Sequence, residues 1–234
     1  MSAVGEGKTR YYAFDIVRGL SLLLMIGHHL AIDLVDQGLG PAWLLDNFLL
    51  KTFQPVFAAA FVALSGASSR FSHDNIRRGL KILACAAVVS LVTYFLGESV
   101  FIRFGILHFL GLASLIYHFC WKYIERLRLP GWIWLPVFVA ARLAFPRRGE
   151  ISWLWPLGVY GKDFASADYY PLLPWIFAYF FGIWLADMAR SGSMPRWFYT
   201  VRCRPLETVS RYSLWIYMLH QPVLMGALYL ITRR

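Results

Sequence analysis

The chain has 234 residues, of which 59% are hydrophobic, 18% aromatic and only 15% charged. Ordinary soluble domains contain about 25% charged residues, so this composition excludes that class and predicts a polytopic membrane protein. The net charge of +10 comes from Lys and Arg in short connections between apolar runs, which is typical of cytoplasmic loops. We therefore expect no nucleic-acid partner.

Seven apolar runs are candidates for crossing a bilayer, which takes about 20 residues as a helix. The predicted fold class is all-α, with about seven transmembrane helices (eight is the alternative) in one domain of residues 1–234 without repeats. The fifth run is short and contains Pro136 and Arg142. Ile151–Tyr160 is too short to cross, which favours an interfacial or re-entrant piece. The seven runs are Tyr11–Val35, Phe48–Ser69, Gly79–Gly97, Phe104–Trp121, Gly131–Phe145, Tyr170–Ala189 and Tyr212–Ile231.

The orientation follows from the distribution of Lys and Arg. If the N-terminus is inside, the cytoplasmic segments carry more of these residues than the outer segments, as the positive-inside rule requires. Residues 1–10 then form a cytoplasmic tail. At 1.5 Å per residue, Arg18 and His29 are about 16 Å apart along the first helix. A basic inner end and a polar outer end are therefore predicted for this span.

The first run contains more polar side chains than a lipid-facing helix tolerates. Asp15, Arg18, His29 and Asp33 fall within about 60° of one another at 100° per residue. Because intramembrane charges are costly, they usually face the bundle interior and mark functional sites. The four-residue spacing of His29 and Asp33 would let the carboxylate orient the ring as a general base. The alternative is that Asp15–Arg18 is a structural ion pair and His29–Asp33 a satisfied polar pair.

The second run ends in the small residues Leu64-Ser65-Gly66-Ala67-Ser68. Small residues allow helices to approach closely in membranes, and this packing role is one interpretation. The other is that the hydroxyls of Ser65 and Ser68, beside Arg70, receive phosphate groups.

Three later stretches carry further candidates. His108 opens the fourth run, although a lone His on an apolar helix is more often a satisfied core residue. Asp168 and Trp175 flank a Pro-rich entry to the sixth run, where an aromatic membrane belt is the alternative. His220 and Gln221 precede Pro222, which is expected to kink the last helix. Polar groups at such a kink need partners, which favours a functional cavity.

These motifs occur in an order that resembles bacterial membrane proteins similar to the catalytic domain of heparan-alpha-glucosaminide N-acetyltransferase. The resemblance covers about residues 9 to 231. The motifs are Asp15-x-x-Arg18-Gly19, His29-x-x-x-Asp33, Leu64-Ser65-Gly66, Phe104-Gly105-Ile106-Leu107-His108, Tyr170-Pro171-Leu172-Leu173-Pro174-Trp175 with Gly182, and Ser213-Leu214-x-Ile216-Tyr217-x-Leu219-His220-Gln221-Pro222.

The resemblance implies a multi-pass acyltransferase of the bacterial inner membrane, which takes acetyl from cytosolic acetyl-CoA and delivers it to an extracytoplasmic sugar or glycan. The expected partners are membrane lipid and this acceptor, with a homo-oligomer left open and no metal expected. On this hypothesis the residues fall into three groups. The first group, which is expected to bind the CoA phosphates and the pantetheine arm, consists of Arg18, Ser65, Ser68, Arg70 and Arg211. The acyl-transfer chemistry is assigned to His29, Asp33, His108 and His220. The third group, which is expected to bind the acceptor or to stabilise the oxyanion, consists of Asp168, Trp175 and Gln221.

Two other classes of function use the same residues. A proton-coupled transporter or channel also needs intramembrane Asp, His and Arg, although no inverted repeat supports it. A haem protein would ligate iron through His29, His108 or His220, although no paired-His spacing supports that class.

Overall fold

The computed structural model describes residues 10–144, 149 and 152–232, with the backbone alone at 49, 50 and 152. Most of the predicted tail 1–10, the end of the fifth run at Phe145 and the start of the Trp-rich stretch at Ile151 lie outside these residues. Within them the chain forms helices and no strands, apart from one bridge between Phe104 and Tyr169. The predicted all-α class is confirmed.

Ten α-helices, numbered in chain order, are present in the described part of the chain. Two short 3-10 turns, Gly131–Ile133 and Ser152–Leu157, accompany them. The helices are α1 Tyr12–Asp36, α2 Trp43–Asp46, α3 Phe48–Phe71, α4 Asn75–Leu96, α5 Ile106–Glu125, α6 Trp134–Ala144, α7 Leu172–Arg190, α8 Arg196–Thr200, α9 Arg204–Arg211 and α10 Ser213–Thr232.

Four of these helices, α1, α4, α7 and α10, are long and apolar enough to cross a membrane. They overlap the first, third, sixth and seventh predicted spans, and α3 and α5 overlap the second and fourth, while the predicted number of about seven spans stays a prediction. The fifth predicted run, already the shortest, is helical over Gly131–Ala144 as a 3-10 turn followed by α6 of 11 residues. Such a helix is about 16 Å long, roughly half of a 30 Å hydrocarbon layer.

The chain divides into two compact units. The first unit consists of the described residues up to Phe61 and those from Met188 onward, and it is built on α1. A Cβ atom at Gly19 of α1 would collide with the backbone carbonyl of Leu206 in α9, so these helices touch through their main chains.

Glu207 accepts hydrogen bonds from Arg202 (2.9 and 3.1 Å) and from the Cys203 amide (2.9 Å) near the start of α9. The bond from Arg202 holds the pKa of Glu207 below its usual range.

The second unit, Val62–Asp187, contains the tightest helix contacts. A Cβ at Gly66 of α3 would collide with the carbonyl of Tyr179 in α7, and one at Gly182 of α7 would collide with the carbonyl of Ala63. The side chains of Val62 and Tyr179 beside this crossing are completely buried. The small residues of the second predicted span therefore have the packing role that was one of their two interpretations.

Candidate active site

Two imidazoles meet in the first unit, one from α1 and one from α10. The rings of His29 and His220 have their centroids 5.2 Å apart. The Nδ1 atom of His220 lies 2.5 Å from the carbonyl oxygen of Tyr217. A carbonyl only accepts hydrogen bonds, so Nδ1 carries a proton, and in the neutral form of the ring the lone pair is on Nε2. We call His29 and His220 the imidazole pair.

Asp33 has a different partner from the one that its spacing predicted. Both of its carboxylate oxygens accept hydrogen bonds from Nε2 of Gln221, each at 2.9 Å. The two oxygens lie on the same side of this nitrogen, so one N–H is shared between them as a three-centre hydrogen bond. The predicted orientation of His29 by Asp33 is therefore replaced by an α1–α10 pair. This orientation leaves Oε1 of Gln221 buried and without a hydrogen-bond partner among the residues that the structure describes.

The N-terminal end of α1 carries the second polar group of this unit. Asp15 accepts hydrogen bonds from Arg10 at 2.6 Å and from Ser210 at 2.8 Å, and it lies 3.8 Å from Nη1 of Arg18. Arg18 also donates to Ser210 at 3.4 Å. Two guanidinium groups thus lie beside one carboxylate at this end of α1. Arg211, at the end of α9, is exposed.

The predicted phosphate-binding residues of the second unit are arranged differently from the expectation. Arg70 donates to Asp187 at 2.7 Å, so its charge is already balanced. Ser68 donates to the Leu64 carbonyl of its own helix at 2.8 Å. Ser65 accepts a hydrogen bond from Arg78, which has no ion-pair partner among the described residues.

Arg78 is the residue that the sequence argument missed in this region. Its guanidinium donates to Ser65 at 2.9 Å and to Ser69, whose hydroxyl is 2.5 Å from the Tyr179 hydroxyl. Within the described ranges, no carboxylate lies within ion-pair distance of Arg78. We call Arg78, Ser65, Ser69 and Tyr179 the Arg78 cluster. Its positive charge is held by hydroxyls alone, which is the composition of an anion site.

His108 and Asp168 have structural roles in the second unit. Nδ1 of His108 accepts from the Gly105 amide at 3.2 Å, so Nε2 carries the proton and donates to Ser90 at 3.2 Å. Both ring nitrogens are thus in use, as in a satisfied core histidine. The carboxylate of Asp168 accepts from the Ile106 amide at 2.9 Å and caps the start of α5. The catalytic role expected of His108 and the acceptor-binding role expected of Asp168 stay predictions.

A cavity of about 120 Å³ lies at the N-terminal end of α7. Trp175 is the one predicted site residue that lines this cavity. Its wall also contains Arg142, Tyr160 and Tyr169, which were not predicted from the sequence as site residues. The Tyr169 hydroxyl donates to the Trp155 carbonyl at 2.5 Å, and burial raises the pKa of Tyr169 to about 12. The sequence does contain a signal for Arg142, because a lone Arg in an apolar run is by default a candidate for a functional residue.

Each unit thus separates its polar groups along one helix. In the second unit, Trp175 at the cavity and Asp187 beside Arg70 are about 18 Å apart along α7. In the first, Arg18 and His29 are about 16 Å apart along α1. Within the first unit, arginines at one end of α1 and the imidazole pair at the other suit a protein that handles an anionic donor and a second substrate at different depths.

Comparison with known proteins gives one match. The family model described as "Heparan-alpha-glucosaminide N-acetyltransferase, catalytic" matches residues 10–222. No curated protein and no solved structure matches the chain. Because the family model covers most of the chain, the protein belongs to the heparan-alpha-glucosaminide N-acetyltransferase catalytic-domain family, and hence to a family of membrane acyltransferases.

Proposed function

We propose that the protein transfers an acetyl or other acyl group from cytosolic acetyl-CoA to an extracytoplasmic sugar or glycan. Residues 1–234 act as one transmembrane domain of the bacterial inner membrane, with the N-terminus in the cytoplasm. Family membership supports the reaction class. The observation that carries the proposal is the imidazole pair, which brings an unprotonated ring nitrogen to the helix end opposite the cationic group.

The donor phosphates would bind at the cationic ends of the helices. The Arg78 cluster is the strongest candidate, because its guanidinium faces two serines and no described carboxylate. Arginine presents two parallel N–H donors to a phosphate. Arg18 and Arg211 remain candidates in the first unit, whereas Asp187 already neutralises Arg70.

The transfer step needs a base and a carbonyl electrophile. The amine or hydroxyl of the acceptor attacks the thioester carbonyl, its proton passes to an imidazole nitrogen, and the C–S bond breaks. The imidazolium then returns the proton to the departing CoA thiolate. His29 and His220 share this base role, and His29 also carries the acyl group briefly in this proposal. The unpaired Oε1 of Gln221 accepts a hydrogen bond from the acceptor.

The test is a donor-side assay in proteoliposomes. Acetyl-CoA labelled in the acetyl group is supplied on the cytoplasmic side, with D-glucosamine or a bacterial envelope glycan extract on the other. We expect release of free CoA thiol that depends on the acceptor, with label appearing on it. Movement of sugar across the membrane without thiol release would instead support the transporter alternative and contradict the proposal.

The Arg78 cluster gives a second prediction. Arg78→Gln is expected to raise the KM for acetyl-CoA about tenfold or more and to change kcat by less than about threefold, because a charge-assisted bond to the donor is lost. The measurement is initial-rate kinetics at varied acetyl-CoA. Arg77→Gln is the matched control, since Arg77 is the exposed neighbour on the same helix. An unchanged KM in a folded Arg78→Gln protein would remove Arg78 from donor binding.

A further inference from the structure

Two short helices of the first unit, α8 and α9, lie against the beginning of α1. The buried ring of Phe198 in α8 packs edge-on against Phe14, with centroids 5.0 Å apart. The Leu206 carbonyl of α9 closely approaches Gly19. With five and eight residues, these helices are about 8 and 12 Å long, too short to cross a hydrocarbon layer of about 30 Å. Because both touch the first third of α1, we place them at the membrane surface.

The connection that contains these helices is strongly basic. Residues 190–211 include five arginines and a single acidic residue, Glu207. Glu207 is buried, and its carboxylate accepts hydrogen bonds from Arg202 at 2.9 and 3.1 Å. The one negative charge is therefore used inside the connection. The other four arginines are all exposed, and they are Arg190, Arg196, Arg204 and Arg211.

An exposed tryptophan lies among these charges. The side chain of Trp197 is 64% exposed, whereas its neighbour Phe198 is buried. The same helix is held by Tyr199, whose hydroxyl donates to the Ala189 carbonyl at 3.1 Å. Tryptophan is enriched at membrane–water interfaces, because its apolar ring and polar N–H suit the headgroup layer. A fixed helix that presents an exposed Trp beside arginines has the composition of a surface that contacts lipid headgroups.

We propose that Arg196, Trp197 and Arg204, which we call the headgroup surface, bind the headgroup of an anionic phospholipid. The guanidinium groups donate to the phosphate oxygens, and Trp197 packs at the level of the glycerol. A zwitterionic phospholipid fits less well, because its own cation already neutralises the phosphate. Arg211 is not included in this surface, since it is a candidate for donor binding. The lipid would attach the first unit to the leaflet at which α1 begins.

The experiment measures lipid binding without acyl donor or acceptor. The purified full chain in detergent is titrated with palmitoyl-oleoyl phosphatidylglycerol or with the matching phosphatidylcholine, and native mass spectrometry gives the apparent Kd of each lipid. The two lipids share acyl chains and phosphate and differ in headgroup charge. A basic residue near an anionic membrane surface strengthens binding about fivefold. We therefore expect phosphatidylglycerol to bind at least about ten times more tightly than phosphatidylcholine.

Variants assign this preference to the headgroup surface. Arg196→Gln and Arg204→Gln are each expected to weaken phosphatidylglycerol binding about fivefold. The double variant should bind both lipids alike, with phosphatidylcholine binding unchanged. The matched control combines Arg77→Gln with Arg126→Gln, which removes two exposed arginines of the second unit and should keep the preference. If the double variant does not fold, about 0.5 M ammonium acetate serves instead, because it shortens the screening length to roughly 4 Å. Salt should then weaken the binding of phosphatidylglycerol and not that of phosphatidylcholine.

Three results would overturn the proposal. They are equal binding of the two lipids by the wild-type chain, a preference that survives in the double variant, and a preference that the control loses to the same extent. Free CoA added at saturation separates this surface from the donor site. We expect phosphatidylglycerol to stay bound, whereas its displacement would assign these arginines to the donor. Because no acyl group is transferred in these measurements, they leave the transferase proposal to its own assay.

Discussion

Replacing His29 by alanine is expected to lower acetyl transfer by at least about 100-fold, since a positioned general base contributes about 10²–10⁴ to a rate. The ring lies 5.2 Å from His220 between centroids, and alanine leaves no group in that position to accept the proton of the acceptor. The measurement is transfer of labelled acetyl in proteoliposomes at matched amounts of folded protein. Near wild-type transfer by the variant would refute the role of His29.

Two further variants make this result specific to the imidazole pair. His28→Ala removes a neighbouring histidine of α1 that is outside the pair, and we expect transfer within about threefold of wild type. His220→Ala should lose activity as His29→Ala does. Residues that act as one unit show non-additive losses, so the double variant is expected to be little worse than either single variant. A multiplied loss would mean that the two rings act in separate steps.

The helical framework could be predicted from hydropathy because apolar runs of sufficient length leave few alternatives. The first predicted span, Tyr11–Val35, differs from α1 by one residue at each end. The last, Tyr212–Ile231, differs from α10 in the same way. The fifth run is helical over its described residues, although hydropathy does not reveal that Gly131–Ile133 forms a 3-10 turn ahead of the 11 residues of α6.

The pairing of the site residues was less predictable. Helical periodicity places His29 and Asp33 on one face, but it says nothing about which side chain of another helix competes for the carboxylate. Gln221 is 188 residues away and was proposed on separate grounds, yet it is the partner of Asp33. The same limit explains Arg70 and Arg78. Both are loop-proximal cations in the sequence, and only the position of Asp187 determines which one is already neutralised.

Replacing Gly182 by alanine is expected to be the most damaging single change to the fold. The added methyl would point directly at the backbone carbonyl of Ala63. Backbone cannot rotate away as a side chain does, so α3 and α7 would have to separate, and the buried contacts of Val62 and Tyr179 would loosen. Overpacking costs about 1–3 kcal/mol even where side chains can adjust. We expect the melting temperature in detergent to fall by roughly 10 °C, or no folded protein to accumulate.

Gly226→Ala is the matched control, because it adds the same methyl to a helix where that methyl meets nothing within 4 Å. Alanine is favoured over glycine in a helix by about 1 kcal/mol, so the melting temperature should stay the same or rise. Gly66→Ala, at the same α3–α7 crossing, should behave like Gly182→Ala. If Gly182→Ala melts like wild type, the two backbones are not in contact.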